Sequence, residues 1–197
     1  MGRLYDTIDD TLAGWIAKQR LFFVATAPTD ADGHLNLSPK GAMDTFCVLN
    51  PTTVAFLDLM GSGIETVAHL RENGRIVVMF CAFEGPPKIV RLHGRGRVVQ
   101  RDQPESDTVL TAFEPNTEIM EVLRSIIVVE VTRITDSCGF VVPRMAFIED
   151  RQQLFRWADV QRRKNGAGWK QDYARANNRV SIDGLAGLDV LEELTEE

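Results

Sequence analysis

The sequence is poor in the residues that mark disulfide-rich, metal-binding or histidine-dependent enzymes. Its 197 residues include three cysteines, Cys47, Cys81 and Cys138, and three histidines. The cysteines are odd in number and far apart, so they indicate neither a disulfide framework nor a metal-ligand motif. No histidine stands at a motif spacing from a serine or a cysteine. We therefore expect no metal site and no Ser–His or Cys–His catalysis.

Long apolar runs are also missing. No stretch approaches the roughly 20 apolar residues that span a bilayer, and residues 1–10 are too polar and acidic for a signal peptide. The formal charge of −6 opposes binding to phosphate backbones. We expect a cytoplasmic protein with no nucleic-acid and no membrane partner. Net charge does not describe a pocket, however, so a local basic cluster is compatible with a small phosphorylated ligand.

Short apolar or alternating segments joined by turns fill most of the chain. They predict strands at 21–26, 34–38, 45–49, 53–59, 75–83, 89–100 and 125–134. A capping box of Thr7 and Asp10 predicts an N-terminal helix, and further helices are expected at about 64–73 and 117–124. This order predicts a mainly β fold with helices (α+β), a six- to seven-stranded antiparallel barrel with short flanking helices.

The composition changes after Asp150 towards Gln, Arg, Lys and Asn. We therefore predict a barrel domain at 1–150. Residues 151–197 are expected to form a helical or extended appendage, which packs on the barrel or on a second subunit.

Two segments are candidate anion sites. In Asn36-Leu37-Ser38-Pro39-Lys40-Gly41 a hydroxyl and an ammonium group lie two residues apart and together offer a hydrogen bond and a charge. The alternative is a strand end with a solvated lysine. In Gly61-Ser62-Gly63-Ile64-Glu65-Thr66 glycines precede a helix, whose N–H groups and dipole favour a phosphate. The alternative is a capping turn, with Ser62 as N-cap and Glu65 as its partner.

A third candidate is the strand at 89–100, where cationic side chains alternate with apolar residues and glycines. Successive side chains of a strand point to opposite faces, so one face carries Arg91, His93, Arg95 and Arg97. So many cationic groups cannot be buried unpaired. They face water, meet another subunit, or line an anionic ligand.

Taken in order, these segments resemble the pyridoxamine 5'-phosphate oxidase-like superfamily of FMN-binding split barrels. The resemblance spans about 8–147 and rests on 21–26, 33–41, 54–73, 75–80 and 89–94. It implies a split antiparallel β-barrel, a homodimer, and an FMN cofactor in a groove between the subunits. It also implies contacts to FMN from these positions of this sequence: Ser38, Lys40, Ser62, Thr66, Lys88 and Arg91.

Two departures from that family bear on function. Its oxidases usually carry an Arg-Lys pair where this chain has Glu65-Thr66, so Lys40 or Arg91 is expected to compensate. The C-terminal Arg-x-His pattern of those oxidases is replaced by residues 177–185, so pyridoxamine phosphate is not the expected substrate. We expect an FMN-dependent oxidoreductase related to the family. The alternative is a non-catalytic module that holds FMN, a deazaflavin, or another phosphorylated or tetrapyrrole ligand.

Overall fold

Alternating strands and short helices build the molecule, which a computed structural model describes for residues 2–189. The strands are β1 (Leu4–Tyr5), β2 (Phe22–Thr26), β3 (Asn36–Lys40), β4 (Phe46–Asn50), β5 (Thr53–Leu59), β6 (Arg75–Cys81), β7 (Ile89–Gln100) and β8 (Leu123–Ser137). The helices are α1 (Asp10–Ile16), α2 (Glu65–Asn73), α3 (Glu105–Leu110), α4 (Thr117–Val122), α5 (Gln153–Asn165) and α6 (Trp169–Asn177), with a 3-10 turn at Met43–Thr45. No helix within residues 2–189 has the length and apolarity to cross a bilayer.

All strand pairs in this sheet are antiparallel. The strands follow the order β3-β2-β6-β7-β8-β5-β4, and β1 adds to the end of β8. β3 and β4 end this path, so the sheet stays open between them. The mainly antiparallel α+β fold predicted from the sequence is thus confirmed, and the open edge is that of a split barrel.

The two faces of the long strands bury different cores. On β5 and β8, Phe56 and Ile127 point into a central cluster with Phe22 and Phe80 from the other half of the sheet. The alternate residues, among them Leu57, pack against the helices on the outside. Both faces are covered, which is why these strands are almost continuously apolar in sequence.

Two helix starts differ from the capping pattern read in the sequence. Asp9, not Thr7, caps α1, because its carboxylate accepts a hydrogen bond of 2.7 Å from the Leu12 N–H. At α2 the N-cap is Ile64, which offers no side-chain acceptor, so Ser62 does not cap this helix. In both cases the residue predicted as the cap lies two positions before the observed N-cap.

The alternation predicted for β7 is confirmed. Val90 and Leu92 are buried, whereas Arg95 and Arg97 are exposed and Arg91 is half-buried. The outer cations have protein partners: the side chain of Arg97 pairs with Glu105 and that of Arg95 donates to the Asn73 carbonyl.

The residues after 150 pack on the sheet through α5 and α6. Ala158 of α5 and Trp169 of α6 share a buried cluster with Met60 and Val122. From Asn178 to Asp189, which we term the C-terminal loop, the chain turns back and covers the segment between β5 and α2. Its Asn178 amide donates to the Gly61 carbonyl at 2.9 Å.

Candidate functional site

A cleft of about 400 Å³ lies where the sheet is open. Strand β3 forms one wall, and the loop from β5 to α2 forms another. The polar groups that line it come from four parts of the chain: Ser38, Lys40, Thr45, Glu65, Thr66 and Arg124.

Strand β3 turns its polar side chains inward. Leu35 and Leu37 are 81% and 67% exposed. Ser38 and Lys40 instead pair in register with Val24 and Phe22, which belong to the central core. The strand predicted at 34–38 thus has its polar side chains on the inward face, because this edge of the sheet borders the cleft rather than the apolar interior.

A buried carboxylate lies beneath the cleft and holds its two cations. Asp58 is fully buried at the end of β5, and one oxygen lies 3.3 Å from Lys40 Nζ. Its second oxygen accepts hydrogen bonds from Arg124 Nε at 2.8 Å and from Ser125 Oγ at 3.1 Å. Lys40, Arg124 and Asp58 together carry a charge of +1, and Glu65 adds a further carboxylate to the lining of the cleft.

A β-bulge directs Arg124 to this position. Asp58 pairs with Ser125 and Leu59 pairs with Leu123, so Arg124 is the extra residue of β8. Bulges of this kind change the direction of one side chain at the rim of a sheet. The Arg124 guanidinium therefore reaches the cleft while its side chain stays 5% exposed.

The charges of the cleft act on Asp58. Burial alone would raise the pKa of its carboxyl, but the charges of Arg124 and Lys40 oppose this, together with hydrogen bonds from Arg124 and Ser125. The net effect is a lowered pKa, so Asp58 is ionised at neutral pH. It holds the cations and is not a proton donor.

The loop before α2 is tied down from two sides. Arg124 Nη1 donates to the carbonyls of Gly61 and Gly63, each at 2.9 Å. From the other side the Asn178 amide holds Gly61, as described above. Because these carbonyls are turned towards Arg124 and Asn178, and because α2 lacks a side-chain cap, the first N–H groups of α2 are available at the cleft.

Residues predicted from the sequence divide into two groups. Ser38, Lys40 and Thr66 line the same cleft, and Ser62 is exposed in the loop between two of its lining glycines. Lys88 and Arg91 lie elsewhere within one chain.

Both outlying cations are bound on the far side of the sheet. Lys88 Nζ lies 3.1 Å from the Tyr5 hydroxyl and 3.9 Å from Asp136, above the ring of Trp15. Arg91 donates to Ser137 at 3.1 Å. Arg91 therefore does not supply the missing cation within the same chain.

Sequence reasoning missed Arg124 and Asp58. Asp58 is the one charged residue of β5 and lies near its end, and Arg124 lies near the start of β8, shortly before the apolar run 126–129. Opposite charges in two buried strands indicate an ion pair, since neither is stable there alone. Asn36, which bonds to Ser38 and Thr66, belongs to the predicted segment 36–41, but no role was predicted for its side chain.

Comparison with known proteins agrees with this architecture. A family model described as pyridoxamine 5'-phosphate oxidase matches residues 8–138. The pyridoxamine 5'-phosphate oxidase family protein ustO of Aspergillus flavus is 36% identical over 93% of this chain and 77% of its own length.

Among solved structures, HupZ of Group A Streptococcus is similar at a TM-score of 0.50 and 20% identity, over 71% of this chain and 99% of that chain. An FMN-binding protein of Syntrophomonas wolfei gives a TM-score of 0.45 at 14% identity, over 65% and 78% of the two chains. The similarity to HupZ covers almost the whole of that solved chain and supports the fold assignment.

Proposed function

The chain belongs to the pyridoxamine 5'-phosphate oxidase family, and we propose that it is an FMN-dependent oxidoreductase whose cleft holds the cofactor's phosphate. One observation carries this proposal. Lys40, Arg124, the Thr66 hydroxyl and the uncapped start of α2 converge on one cleft at the open edge of the sheet.

This set of groups suits a phosphate in both charge and hydrogen bonding. Lysine and arginine are the usual phosphate partners, and helix N–H groups add donors where the helix dipole favours an anion. Arg124 supplies the positive charge that was expected to compensate for the Glu65-Thr66 pair. When bound, FMN supplies hydride and electron chemistry at its ring. The chain supplies the anchorage and orientation.

A comparison of FMN with riboflavin tests the assignment, because the two differ by the phosphate alone. We expect the purified protein to bind FMN at least about tenfold more tightly than riboflavin, the usual contribution of one charged hydrogen bond. Lys40→Met should weaken FMN binding by about tenfold or more on the same basis and leave riboflavin binding unchanged. Flavin fluorescence titration gives both constants.

The matched control is Lys164→Met, which removes an exposed lysine of α5. It should leave both dissociation constants as in the wild type. Equal affinities for FMN and riboflavin, or no binding of either, would refute the phosphate assignment.

A second candidate is a non-catalytic module that binds the same cofactor or a deazaflavin. Its support is the chemistry of the cleft, since no histidine or cysteine lines it within residues 2–189 and Asp58 is held by two cations. Reduction of the bound flavin by NAD(P)H, followed by reoxidation in air, would favour the oxidoreductase. A flavin that only dithionite reduces, or a preference for the deazaflavin in the same assay, would favour this module.

A further inference from the structure

A buried histidine lies behind the cleft and takes no part in the anchorage described so far. His69 belongs to α2 and is fully buried. Its Nδ1 lies 2.9 Å from the hydroxyl of Thr26 on β2. Its Nε2 has no hydrogen-bond partner within residues 2–189.

Hydrogen bonds connect this histidine to the cleft. The Asn36 amide donates one proton to Thr26 Oγ1 at 3.0 Å and the other to Thr66 Oγ1 at 2.9 Å. Ser38 Oγ donates to the side-chain amide oxygen Oδ1 of Asn36 at 2.8 Å. The path therefore runs from His69 through the side chains of Thr26 and Asn36 to the hydroxyls of Ser38 and Thr66, which line the cleft.

The imidazole is neutral at physiological pH. Burial lowers the pKa of His69 below its ordinary value, and this outweighs the nearby carboxylates of Asp183, Glu65 and Glu72 and the Thr26 backbone, which act in the opposite direction. A neutral imidazole has one N–H and one acceptor nitrogen. Which of the two faces Thr26 decides whether the Thr26 hydroxyl donates or accepts in the bond to His69.

We propose that His69 is a positioning residue: through Thr26 and Asn36 it turns the hydroxyl proton of Thr66 towards an anionic ligand in the cleft. In this arrangement Nδ1 accepts the Thr26 hydroxyl proton, and Nε2 carries the ring proton. The inference rests on the proposed function, because the ligand it serves is the phosphate of FMN.

With Nδ1 of His69 as the acceptor, the remaining hydrogen-bond donors give the direction of each further bond. Thr26 gives its proton to His69, so its oxygen accepts from Asn36. Asn36 donates its second N–H to Thr66 Oγ1, so the hydroxyl proton of Thr66 is free for the ligand. The Ser38 proton is already given to Asn36. Thr66 is therefore a donor towards the cleft and suits a phosphate oxygen. Ser38 is an acceptor there and suits a ligand hydroxyl, such as one on the ribityl chain.

A pair of variants at Thr26 tests this without changing the cleft wall. Thr26→Val keeps the shape but removes the hydroxyl, so Asn36 is free to reverse its amide and take the Thr66 proton. We expect FMN affinity to fall by about tenfold, the loss of one hydrogen bond to a charged group. Thr26→Ser restores the hydroxyl and should restore the affinity. Riboflavin affinity should not change in either variant.

A double-mutant cycle with Thr66→Val separates positioning from general destabilisation. If His69 and Thr26 act through the Thr66 hydroxyl, Thr26→Val should have no further effect on FMN affinity in the Thr66→Val background. Ser106→Ala, which removes a buried hydroxyl of α3, controls for loss of stability and should bind FMN normally.

Two results would overturn the inference: FMN affinity unchanged in Thr26→Val, or the same loss in both backgrounds. Failure of the wild type itself to prefer FMN to riboflavin would instead refute the proposed function. Should Thr26→Val not fold, His69→Asn and His69→Leu give the same comparison. Asparagine places an acceptor near the position of Nδ1 and leucine does not, so only the leucine variant should lose affinity.

Discussion

At the scale of single residues, the buried carboxylate of Asp58 controls both the stability and the charge of the cleft. It neutralises part of the positive charge of Lys40 and Arg124, and those cations in turn make its burial possible. Removing one member of a buried ion pair leaves the rest uncompensated, which costs more than an exposed pair contributes. The cleft is therefore held in shape by the same charges that attract a ligand.

Asp58→Asn should lower the free energy of unfolding by about 3–5 kcal/mol at pH 7, because it leaves two cations facing a neutral amide. The pKa of Asp58 is lowered in the folded state. Its stabilising effect is thus complete above the pKa of the unfolded chain and is lost as the pH falls through the folded pKa. The difference between wild type and variant should be constant from neutral pH to about pH 5 and shrink below about pH 4. Urea denaturation at several pH values measures it.

Asp107→Asn is the matched control, since Asp107 is exposed and pairs with Arg101 at the surface. It should change the free energy of unfolding by less than about 1 kcal/mol. A difference between wild type and Asp58→Asn that stays constant down to pH 3 would contradict a lowered pKa.

At the scale of elements, backbone spacing explains why certain strands and helices carry glycine. Thr132 is the extra residue of a second bulge in β8, because His93 pairs with Arg133 and Gly94 with Val131. A Cβ at Gly94 would lie 2.2 Å from the Glu130 carbonyl oxygen. The two strands approach each other closely here, and only glycine permits it.

Two glycine-to-alanine variants should therefore have opposite effects. Gly94→Ala forces β7 away from β8 and should lower the free energy of unfolding by about 1–3 kcal/mol. Gly14→Ala lies on the exposed side of α1, where a Cβ meets no atom of residues 2–189 within 4 Å. It should raise stability by up to about 1 kcal/mol, since alanine favours helix more than glycine does. Thermal and urea denaturation of both variants check this, and a stable Gly94→Ala would show that the bulge relaxes freely.

The elements also show what the sequence could and could not reveal. Strands β5 and β7 were predicted at their observed bounds, because the continuous apolar run of β5 and the alternation of β7 both reflect burial in the core. For β3 the strand itself was predicted, but the sequence did not show that its polar face points inward. A strand whose polar residues face inward is recognised only when its place in the sheet is known.

In the site too, contacts between residues far apart in the sequence could not be predicted. Lys40 and Thr66 were predicted from local motifs, and the structure brings them to one cleft. Arg124 reaches it only through a bulge between strands whose paired residues are 64 and 67 positions apart in sequence, as shown by the Leu59–Leu123 and Asp58–Ser125 pairs. The C-terminal loop holds the cleft through Asn178, and no local pattern around that residue indicates this contact.

At the scale of the whole molecule, an apolar surface suggests how the chain associates. The irregular segment 138–150 exposes large apolar side chains, among them Val141 at 96% and Ile148 at 90%, with Phe140 beside them. Several large apolar side chains exposed within one short segment are typical of a protein interface. The segment is attached to the sheet, since the Met145 N–H donates to the Phe83 carbonyl at 3.0 Å.

We propose that a second copy of the chain covers this surface and that the protein is a homodimer. Sedimentation velocity should then give twice the mass of one chain at micromolar concentration. Val141→Lys places a charge in the interface, where an unpaired charge is not tolerated, and should shift the protein towards monomer. Val160→Lys is the matched control, because Val160 is a partly exposed valine of α5 on another surface, and it should stay dimeric.

The same variants link assembly to the cofactor. Lys88 and Arg91 lie away from the cleft within one chain, so they contact a bound flavin only if it lies between subunits. In that case Val141→Lys should weaken FMN binding together with dimerisation, whereas Val160→Lys should affect neither. A wild type that sediments as a monomer and still binds FMN tightly would place the whole site within one chain and remove both residues from it.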